Sequence, residues 1–167
     1  SPTILGIRLQ LDRDMQFQAG QYINLDIPDV GTRAFSIANP PSQSNIVELH
    51  VRLVSEGKGT SWLHNELAVG DSIELSGPYG QFFVRSSDSQ DMIFVAGGAG
   101  LSSPEAMILD LLEQGETRQL YLFQGARNIP ELYHRDKFEQ LATEHDNFHY
   151  IPALSDEDTL GEWSGFK

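Results

Sequence analysis

The sequence contains no cysteine among its 167 residues. This absence excludes disulfide bonds, thiolate nucleophiles, cysteine-ligated zinc and iron–sulfur clusters within the chain. Basic residues are also few: 11 lysines and arginines stand against 24 aspartates and glutamates, for a net charge of −13. Such a surface repels nucleic acid and anionic lipid, so we expect neither a nucleic-acid partner nor a membrane partner.

Long apolar runs are absent as well. No stretch reaches the length of a membrane span and no signal peptide is visible, so we expect a soluble, cytoplasmic protein. The content of 40% hydrophobic and 10% aromatic residues is that of an ordinary globular protein.

The first half of the chain has the pattern of short β-strands separated by turns. Apolar and polar side chains alternate with the period of a half-buried strand. The predicted strands are Ile4–Leu11, Tyr22–Ile27, Arg33–Ile37, Ile46–Val54 and Ser72–Ser76. With one helix predicted near Ser61–Leu67, this pattern indicates a small antiparallel barrel.

After Arg85 the pattern changes to alternating strands and helices. The polar segment Ser86–Asp91 is interpreted as a linker, which gives predicted domains of residues 1–87 and 88–167. The predicted elements are the strands Met92–Ala96, Leu120–Phe123 and His149–Ala153 and the helices Ser102–Gln114 and Glu131–His145. The apolar first strand is typical of a parallel strand buried on both faces, and Ser102 or Ser103 can cap the next helix. This order predicts one half of a nucleotide-binding α/β domain.

The stretch Thr32–Ser36 combines an arginine, an aromatic ring and a hydroxyl on one predicted strand. Arg33 and Phe35 project to the same face, because side chains alternate along an extended strand. Arg33 can pair with a pyrophosphate, Phe35 can pack on an aromatic ring system, and Ser36 can hydrogen-bond a ring nitrogen. This combination suits a flavin. The alternative is a plain barrel strand, with Arg33 at the surface and Phe35 in the core.

Two glycine-containing segments precede predicted helices. In Gly57–Leu63, which is not a P-loop, free backbone amides and the hydroxyls of Thr60 and Ser61 can cradle a phosphate. In Gly97–Gly100, glycine lets the backbone approach a pyrophosphate, and the helix N-terminus attracts its charge. The alternatives are an N-capped helix after a flexible loop and a tight strand-to-helix turn.

The remaining polar residues predict no further site. The histidines, at positions 50, 64, 134, 145 and 149, lack metal-ligand spacing, and no Gly-x-Ser-x-Gly motif is present. The acidic run Asp156–Asp158 is typical of a solvated loop. We therefore predict neither a metal site nor a hydrolase.

Taken in order, these motifs resemble the ferredoxin–NADP reductase superfamily. The segments that carry the resemblance are Arg33–Ser36, Gly57–Leu63, Gly77–Gly80 and Gly97–Gly100. Similarity to the reductase components of bacterial multicomponent phenol hydroxylases is greatest in Thr32–Pro41, Leu75–Arg85, Gly100–Glu113 and Leu122–Asn128. The resemblance implies a six-stranded antiparallel FAD-binding barrel followed by a Rossmann-like NAD-binding α/β domain.

The resemblance also implies a chemistry. Such reductases pass a hydride from a nicotinamide to FAD, and electrons leave singly through a [2Fe–2S] ferredoxin-type domain to an oxygenase. Arg33 would hold the FAD pyrophosphate, Phe35 would pack on the flavin, and Ser36 would act as the catalytic residue near its reactive nitrogen. The implied cofactor contacts are Arg33, Ala34, Phe35, Ser36, His50, Val51 and Arg52 for the flavin, Gly59, Thr60 and Ser61 for its pyrophosphate, and Gly97, Gly98, Ala99 and Gly100 for the dinucleotide.

Some parts of the family have no counterpart in this sequence. They are the ferredoxin domain, the opening barrel strand, and a C-terminal Cys-Gly-Pro segment with a terminal aromatic. We therefore interpret the chain as a central fragment, whose parent works with its own [2Fe–2S] domain and an oxygenase. Met92–Ala96 is central in the family's sheet, so a bare edge predicts self-association or a poorly ordered α/β half. Pro104 also stands one place after the position where relatives often have proline, which leaves the helix start open by one residue.

Two functional hypotheses follow. The first is a flavin-dependent NADH oxidoreductase that serves an aromatic-ring hydroxylase. The second is a flavin- or nucleotide-binding regulatory or electron-relay module without NADH turnover of its own. Two adjacent cofactor sites favour the first, and the incomplete α/β half favours the second.

The segment Ala153–Asp156 bears on the choice of nucleotide. NADP-dependent relatives carry an arginine where Asp156 stands, after a residue matching Ser155. A carboxylate can accept a hydrogen bond from a ribose hydroxyl but repels a 2′-phosphate. We therefore expect Ser155 and Asp156 to contact the nucleotide and NADH to be preferred over NADPH. The alternative is that Asp156 points into solvent.

Overall fold

The computed structural model describes residues 1, 3–85, 89–156, 163, 165 and 166. An antiparallel part precedes a parallel α/β part, as the sequence predicted. The predicted boundary between residues 87 and 88 stays a prediction, because residues 86–88 lie outside the described part of the chain. So do Glu157 and Asp158 of the acidic run.

Five strands form the antiparallel part. Strand β1 (Ile4–Gln10) pairs with β4 (Ile46–Arg52), and β2 (Tyr22–Ile27) lies between β3 (Gly31–Ser36) and β5 (Glu74–Tyr79). The resemblance implied six strands in a barrel; the described residues provide five, hydrogen-bonded as two sheets. Helix α1 (Lys58–Asn65) lies between β4 and β5 in the chain.

Alternation along the strands places a first core between the two sheets. In β2, Ile23, Leu25 and Ile27 are at most 1% exposed, whereas Asn24 and Asp26 between them are not buried. Both sheets contribute to this core. Because each buried side chain of this kind stabilises the fold by about 1.5–3 kcal/mol, the core fixes the positions of β3 and β4.

The α/β part is a parallel sheet with two helices. Its strands lie in the order β6 (Met92–Gly97), β7 (Leu120–Ala126) and β8 (Phe148–Leu154). The helices are α2 (Ser102–Glu113) and α3 (Arg135–Glu144). Side chains of both helices join one core with buried residues of all three strands, which confirms the predicted strand-helix-strand-helix-strand order.

The prediction that the first parallel strand is buried on both faces is wrong. Phe94 and Ala96 of β6 lie in the core, but Ile93 and Val95 are 68% and 77% exposed. The reason is that α2 and α3 cover the same face of the sheet, and no described residue covers the other. Strand β6 also pairs only with β7 among the described strands.

The predicted serine cap of α2 is also wrong. A 3₁₀ turn, Gly98–Leu101, leads directly into the helix, so Leu101 stands at the N-cap position and no side chain caps it. The hydroxyl of Ser102 instead donates to the carbonyl of Ala99 at 2.9 Å. Ser103 is buried inside the first helical turn.

Helix α3 is shorter than predicted. Its predicted start, Glu131, ends a separate 3₁₀ turn, and His134 has a left-handed φ of 60° that interrupts the helical path. Regular helix therefore begins only at Arg135. In the described part of the chain, no helix is long and apolar enough to cross a bilayer.

Candidate functional site

Arg33 of β3 lies beside the start of α1. A Cβ atom on Gly59 would stand 3.4 Å from Cγ of Arg33 and 3.3 Å from Cδ1 of Ile27. Those contacts are tight, so glycine allows β3 and α1 to approach closely. The fold thereby brings together two of the predicted pyrophosphate contacts, Arg33 and Gly59.

The first turn of α1 carries amides that make no bond within the helix. The first intrahelical hydrogen bond runs from the amide of Ser61 to the carbonyl of Gly57, at 2.9 Å. The amides of Lys58, Gly59 and Thr60 therefore precede the helical ladder, and no described side chain caps them. Together with the Arg33 guanidinium, these donors suit an anionic pyrophosphate.

The hydroxyl of Thr60 is engaged locally. It accepts a hydrogen bond from the amide of Val54 at 3.1 Å and donates to the carbonyl of Gly57 at 3.2 Å. It therefore stabilises the loop before α1. The phosphate contact of Thr60 stays a prediction, and its backbone amide, rather than its engaged hydroxyl, is the group available for it.

Strand β3 orients the remaining predicted flavin residues. In its register with β2, Arg33 and Phe35 lie opposite core residues, so both side chains share one face, as predicted. Phe35 is half-buried and packs against the first core. Part of its ring therefore contributes to core packing, as expected if β3 were a plain barrel strand. Ser36 is half-buried beside it, and Ala34 is exposed.

A cavity of about 410 Å³ lies at the carboxyl ends of the three parallel strands. Gly97 and Gly98 line it after β6, Gly125 lines it from β7, Ser155 lines it after β8, and Arg52 reaches it from β4. Ligands of open α/β sheets bind at this edge, and the volume is within the range of small-molecule sites.

Glycine is needed where the strand ends approach each other. A Cβ atom on Gly97 would stand 3.2 Å from the carbonyl oxygen of Gly125, and Gly98 has a left-handed φ of 52°. Gly100 faces open space. The predicted dinucleotide loop is thus both a tight turn and a cradle whose backbone a ligand can approach.

Sequence reasoning missed several residues that line the cavity, among them Gly125, Arg127 and Glu131. The Arg127 guanidinium donates to both carboxylate oxygens of Glu131, with Nε at 2.9 and 3.1 Å. This pairing raises the pKa of Arg127, with a smaller effect from Asp156, whose amide donates to the Arg127 carbonyl at 2.8 Å. The available signal was the Gly-Ala-Arg sequence at the end of β7.

Five side chains form a cluster between the two parts of the chain, with a buried carboxylate at its centre and an exposed lysine at its edge. The Glu105 carboxylate is 1% exposed and accepts a hydrogen bond from Nζ of Lys137 at 2.6 Å. Nδ1 of His134 lies 3.0 Å from both carboxylate oxygens, and Nδ1 of His50 lies 3.8 Å from one. With Tyr133, whose ring contacts both imidazoles, these residues are called the interdomain cluster.

The cluster brings together groups that can ligate a metal. His50, Glu105 and His134 offer ligand atoms within 4.8 Å of one another. The ammonium of Lys137 already supplies a positive charge at Glu105, which reduces the need for a cation there. No local sequence pattern signals this grouping, because its members are far apart along the chain.

Charges within the cluster shift the pKa values of its members. Burial acts to raise the pKa of Glu105, but the His134 hydrogen bond and the Lys137 charge outweigh it and hold that pKa below its usual value. The His50 ring, 3.6 Å away, lowers the pKa of Glu48. Burial, and then the charge of Glu105, raise the pKa of Tyr133. At neutral pH the cluster therefore holds ionised carboxylates and a neutral phenol.

Strand β4 connects the two candidate cofactor regions. His50 enters the interdomain cluster, and Val51 is buried in the first core. The Arg52 side chain reaches across so that Nη1 lies 3.7 Å from the position a Cβ of Gly98 would take. The predicted flavin strand and the predicted dinucleotide loop are therefore neighbours.

Comparison with protein families agrees with this geometry. Residues 1–84 match the family described as the oxidoreductase FAD-binding domain, and residues 94–166 match that described as the oxidoreductase NAD-binding domain. The chain belongs to the ferredoxin–NADP reductase superfamily. The first match ends before the predicted linker, and the second begins after it.

Curated relatives within this superfamily include reductase components of oxygenases. The chain is 62% identical to the reductase component DmpP of phenol 2-monooxygenase from Pseudomonas sp. strain CF600, over 100% of this chain and 48% of that protein. It is also 62% identical to the phenol hydroxylase P5 protein of Acinetobacter pittii, over 99% of this chain and 47% of that protein. The chain thus spans about half the length of these relatives.

Solved structures agree on the fold. The cytochrome P450 reductase GcoB of Amycolatopsis is 34% identical, with a TM-score of 0.87 over 93% of this chain and 48% of that one. A ferredoxin reductase of carbazole 1,9a-dioxygenase is 25% identical, with a TM-score of 0.84 over 98% of this chain and 48% of that one.

The residues of this chain fit both cofactors named by the matched families. Arg33 and the free amides of α1 provide donors for a pyrophosphate beside Phe35. The glycine cradle and the cavity at the strand ends accommodate a second, dinucleotide ligand. The side of β4 that holds Arg52 lies between the two sites.

Proposed function

We propose that the chain is the flavin- and nicotinamide-binding part of an NADH-dependent reductase. The observation that carries the proposal is the approach of Arg52 to Gly98, which makes a flavin strand and a dinucleotide loop neighbours. When bound, the cofactors supply the redox chemistry: a hydride, carrying two electrons, leaves the reduced nicotinamide, which is oxidised, and reduces the flavin.

The chain's own residues bind and orient. Arg33 and the first-turn amides of α1 hold the flavin pyrophosphate, and Phe35 packs against the ring. Ser36, the proposed catalytic residue, would offer its half-buried hydroxyl to the flavin. Gly97–Gly100 hold the nicotinamide dinucleotide.

The relatives' names support an oxygenase partner, and the family resemblance supports a ferredoxin-type domain. We propose that electrons leave this chain singly through a [2Fe–2S] ferredoxin-type domain of the parent protein to the oxygenase component of an aromatic-ring hydroxylase, most simply a phenol hydroxylase. A cytoplasmic site of action suits a supply of NADH.

The nucleotide choice rests on charge at the cavity. Asp156 is half-buried beside Arg127, and Arg127 is itself held by Glu131. A 2′-phosphate bound beside Asp156 would face the carboxylates of Asp156 and Glu131. The nearby Arg127 guanidinium is already paired with Glu131. We therefore propose that NADH is preferred over NADPH.

Reconstitution with FAD tests the proposal against the alternative of a binding module without turnover. The full-length protein that contains this sequence should retain FAD through gel filtration, and anaerobic NADH should bleach its visible flavin band. Retention of FAD without bleaching would support the electron-relay module instead.

A further inference from the structure

The hydroxyl of Tyr133 touches both cofactor-binding elements. It donates a hydrogen bond to the carbonyl of Gly98 at 3.0 Å, within the dinucleotide loop. The same oxygen lies 3.4 Å from Nδ1 of His50, on the strand proposed to line the flavin. The hydroxyl of one tyrosine therefore contacts both parts of the chain, at the dinucleotide loop and at β4.

The surroundings of Tyr133 fix the orientation of its ring. His50 and His134 pack edge-on against it, with ring centroids 5.2 and 5.0 Å away. Both imidazoles face the Glu105 carboxylate, which is in turn neutralised by Lys137. Rotation of the ring would therefore break its contacts with both imidazoles.

The backbone at Tyr133 is held equally firmly. Its carbonyl accepts a hydrogen bond from Nε2 of Gln124, a buried residue of β7, at 3.1 Å. The next residue, His134, adopts a left-handed conformation that is unfavourable for a non-glycine residue. Such a conformation persists only where surrounding contacts over-determine it.

Packing alone does not require the hydroxyl. Tyr133 is 7% exposed, and a phenylalanine would fill the same space. The hydroxyl is nevertheless directed at a backbone carbonyl of the dinucleotide loop rather than at solvent. Its role is therefore the placement of that loop.

We propose that Tyr133 is a positioning residue for hydride transfer: its hydroxyl sets the separation between the dinucleotide loop at Gly98 and the flavin strand at His50, and Glu105 holds it in place through the two histidines. This inference rests on the proposed function. It is a statement about geometry, because transfer between bound cofactors depends steeply on their distance, and a 1 Å displacement can cost about a hundred-fold in rate.

The test uses Tyr133→Phe in the full-length, FAD-loaded protein that contains this sequence. The limiting rate of anaerobic flavin reduction is measured by stopped flow over a range of NADH concentrations, which separates that rate from the apparent Kd. We expect the limiting rate to fall at least about ten-fold, with the Kd for NADH and for FAD within about two-fold of the unmutated values. The long-wavelength charge-transfer absorbance of the nicotinamide–flavin complex should weaken in parallel.

Tyr121→Phe is the matched control. Tyr121 lies in β7 and stacks on His149. Its replacement by phenylalanine also removes one phenolic hydroxyl from the α/β domain, but away from the contact between the dinucleotide loop and β4. An unchanged limiting rate in Tyr133→Phe, or an equal loss in Tyr121→Phe, would overturn the proposal. Absence of flavin reduction by NADH in the unmutated protein would instead overturn the proposed function.

Glu105→Gln provides a second, independent variant in case Tyr133→Phe does not fold. It keeps the shape of the side chain and removes the charge that orients His50 and His134. We expect the same separation of effects, a slower limiting rate with unchanged Kd values. A loss confined to the Kd for NADH would assign the cluster to binding and would refute positioning.

Discussion

Arg33 tests the flavin site at the level of one side chain. The Arg33→Ala variant removes the proposed contact between the Arg33 guanidinium and the flavin pyrophosphate, beside the free amides of α1. A charge-assisted hydrogen bond of this kind is typically worth about 1.5–3 kcal/mol. We expect the affinity for FAD to fall roughly ten- to a hundred-fold, measured by fluorescence titration. Arg13→Ala is the control, because Arg13 is exposed on a loop of the same domain. Unchanged affinity in Arg33→Ala would remove the pyrophosphate assignment.

Asp156 tests the choice of nucleotide. Like charges in a partly desolvated site cost on the order of a few kcal/mol, enough for roughly a hundred-fold preference for NADH over NADPH. We expect Asp156→Arg to narrow or reverse that preference in stopped-flow reduction of the bound flavin. Asp146→Arg makes the same charge change on the exposed turn after α3. Equal rate-to-affinity ratios for the two nucleotides in the unmutated protein would contradict the assignment.

Glu105 gives the fold a predictable response to acid. Its folded-state pKa is below the usual value near 4.5, so its stabilising effect is present above that pH and is lost as the pH falls through the folded pKa. We expect Glu105→Gln to lower the free energy of unfolding at neutral pH by on the order of 1–3 kcal/mol. The difference from the unmutated protein should shrink as the pH falls below about 4.5.

The comparison is made by chemical denaturation across that pH range. Glu113→Gln, on the exposed end of α2, is the control and should show little change. A difference between Glu105→Gln and the unmutated protein that stays constant with pH would mean that the carboxylate charge is not what stabilises the cluster.

At the scale of elements, local patterns predicted most of the fold. Alternation located β2 and β4, and an apolar run followed by glycines located β6 and its loop. The predictions were wrong where contacts between residues distant in sequence determine the structure. Burial of β6 on both faces depends on which side the helices pack, and the start of α3 depends on the left-handed His134.

The exposed edge of β6 leads to a prediction for the 167-residue chain. Ile93 and Val95 are exposed on a strand that pairs only with β7 among the described strands, and such an edge is a template for pairing. We expect the chain to self-associate in light scattering. A lysine on an edge strand opposes pairing, so Val95→Lys should shift the chain towards monomer.

The control for this experiment is Val69→Lys, which changes an exposed valine in the turn between α1 and β5. It should leave the self-association unchanged. A monodisperse monomer of the unmutated chain, with ordinary amide protection at Phe94 and Val95, would contradict the prediction.

At the scale of the whole molecule, the site is formed from segments that are distant in sequence. The motifs predicted Arg33, Gly59 and the Gly97–Gly100 loop, because each has a local signature. The interdomain cluster has none, since it joins β4, α2 and the segment before α3 only after folding. Sequence patterns therefore indicated the cofactors, and only the fold revealed the contacts between their sites.

The central claim is that hydride passes directly between two adjoining cofactor sites. The measurement is the stopped-flow rate of anaerobic flavin reduction in the full-length protein, with NADH and with NADH deuterated at the transferred position. The account predicts bleaching of the flavin band by both, and a slower rate with the deuterated nucleotide because the transferred bond breaks in the measured step. A flavin that binds but is not bleached by NADH would contradict it.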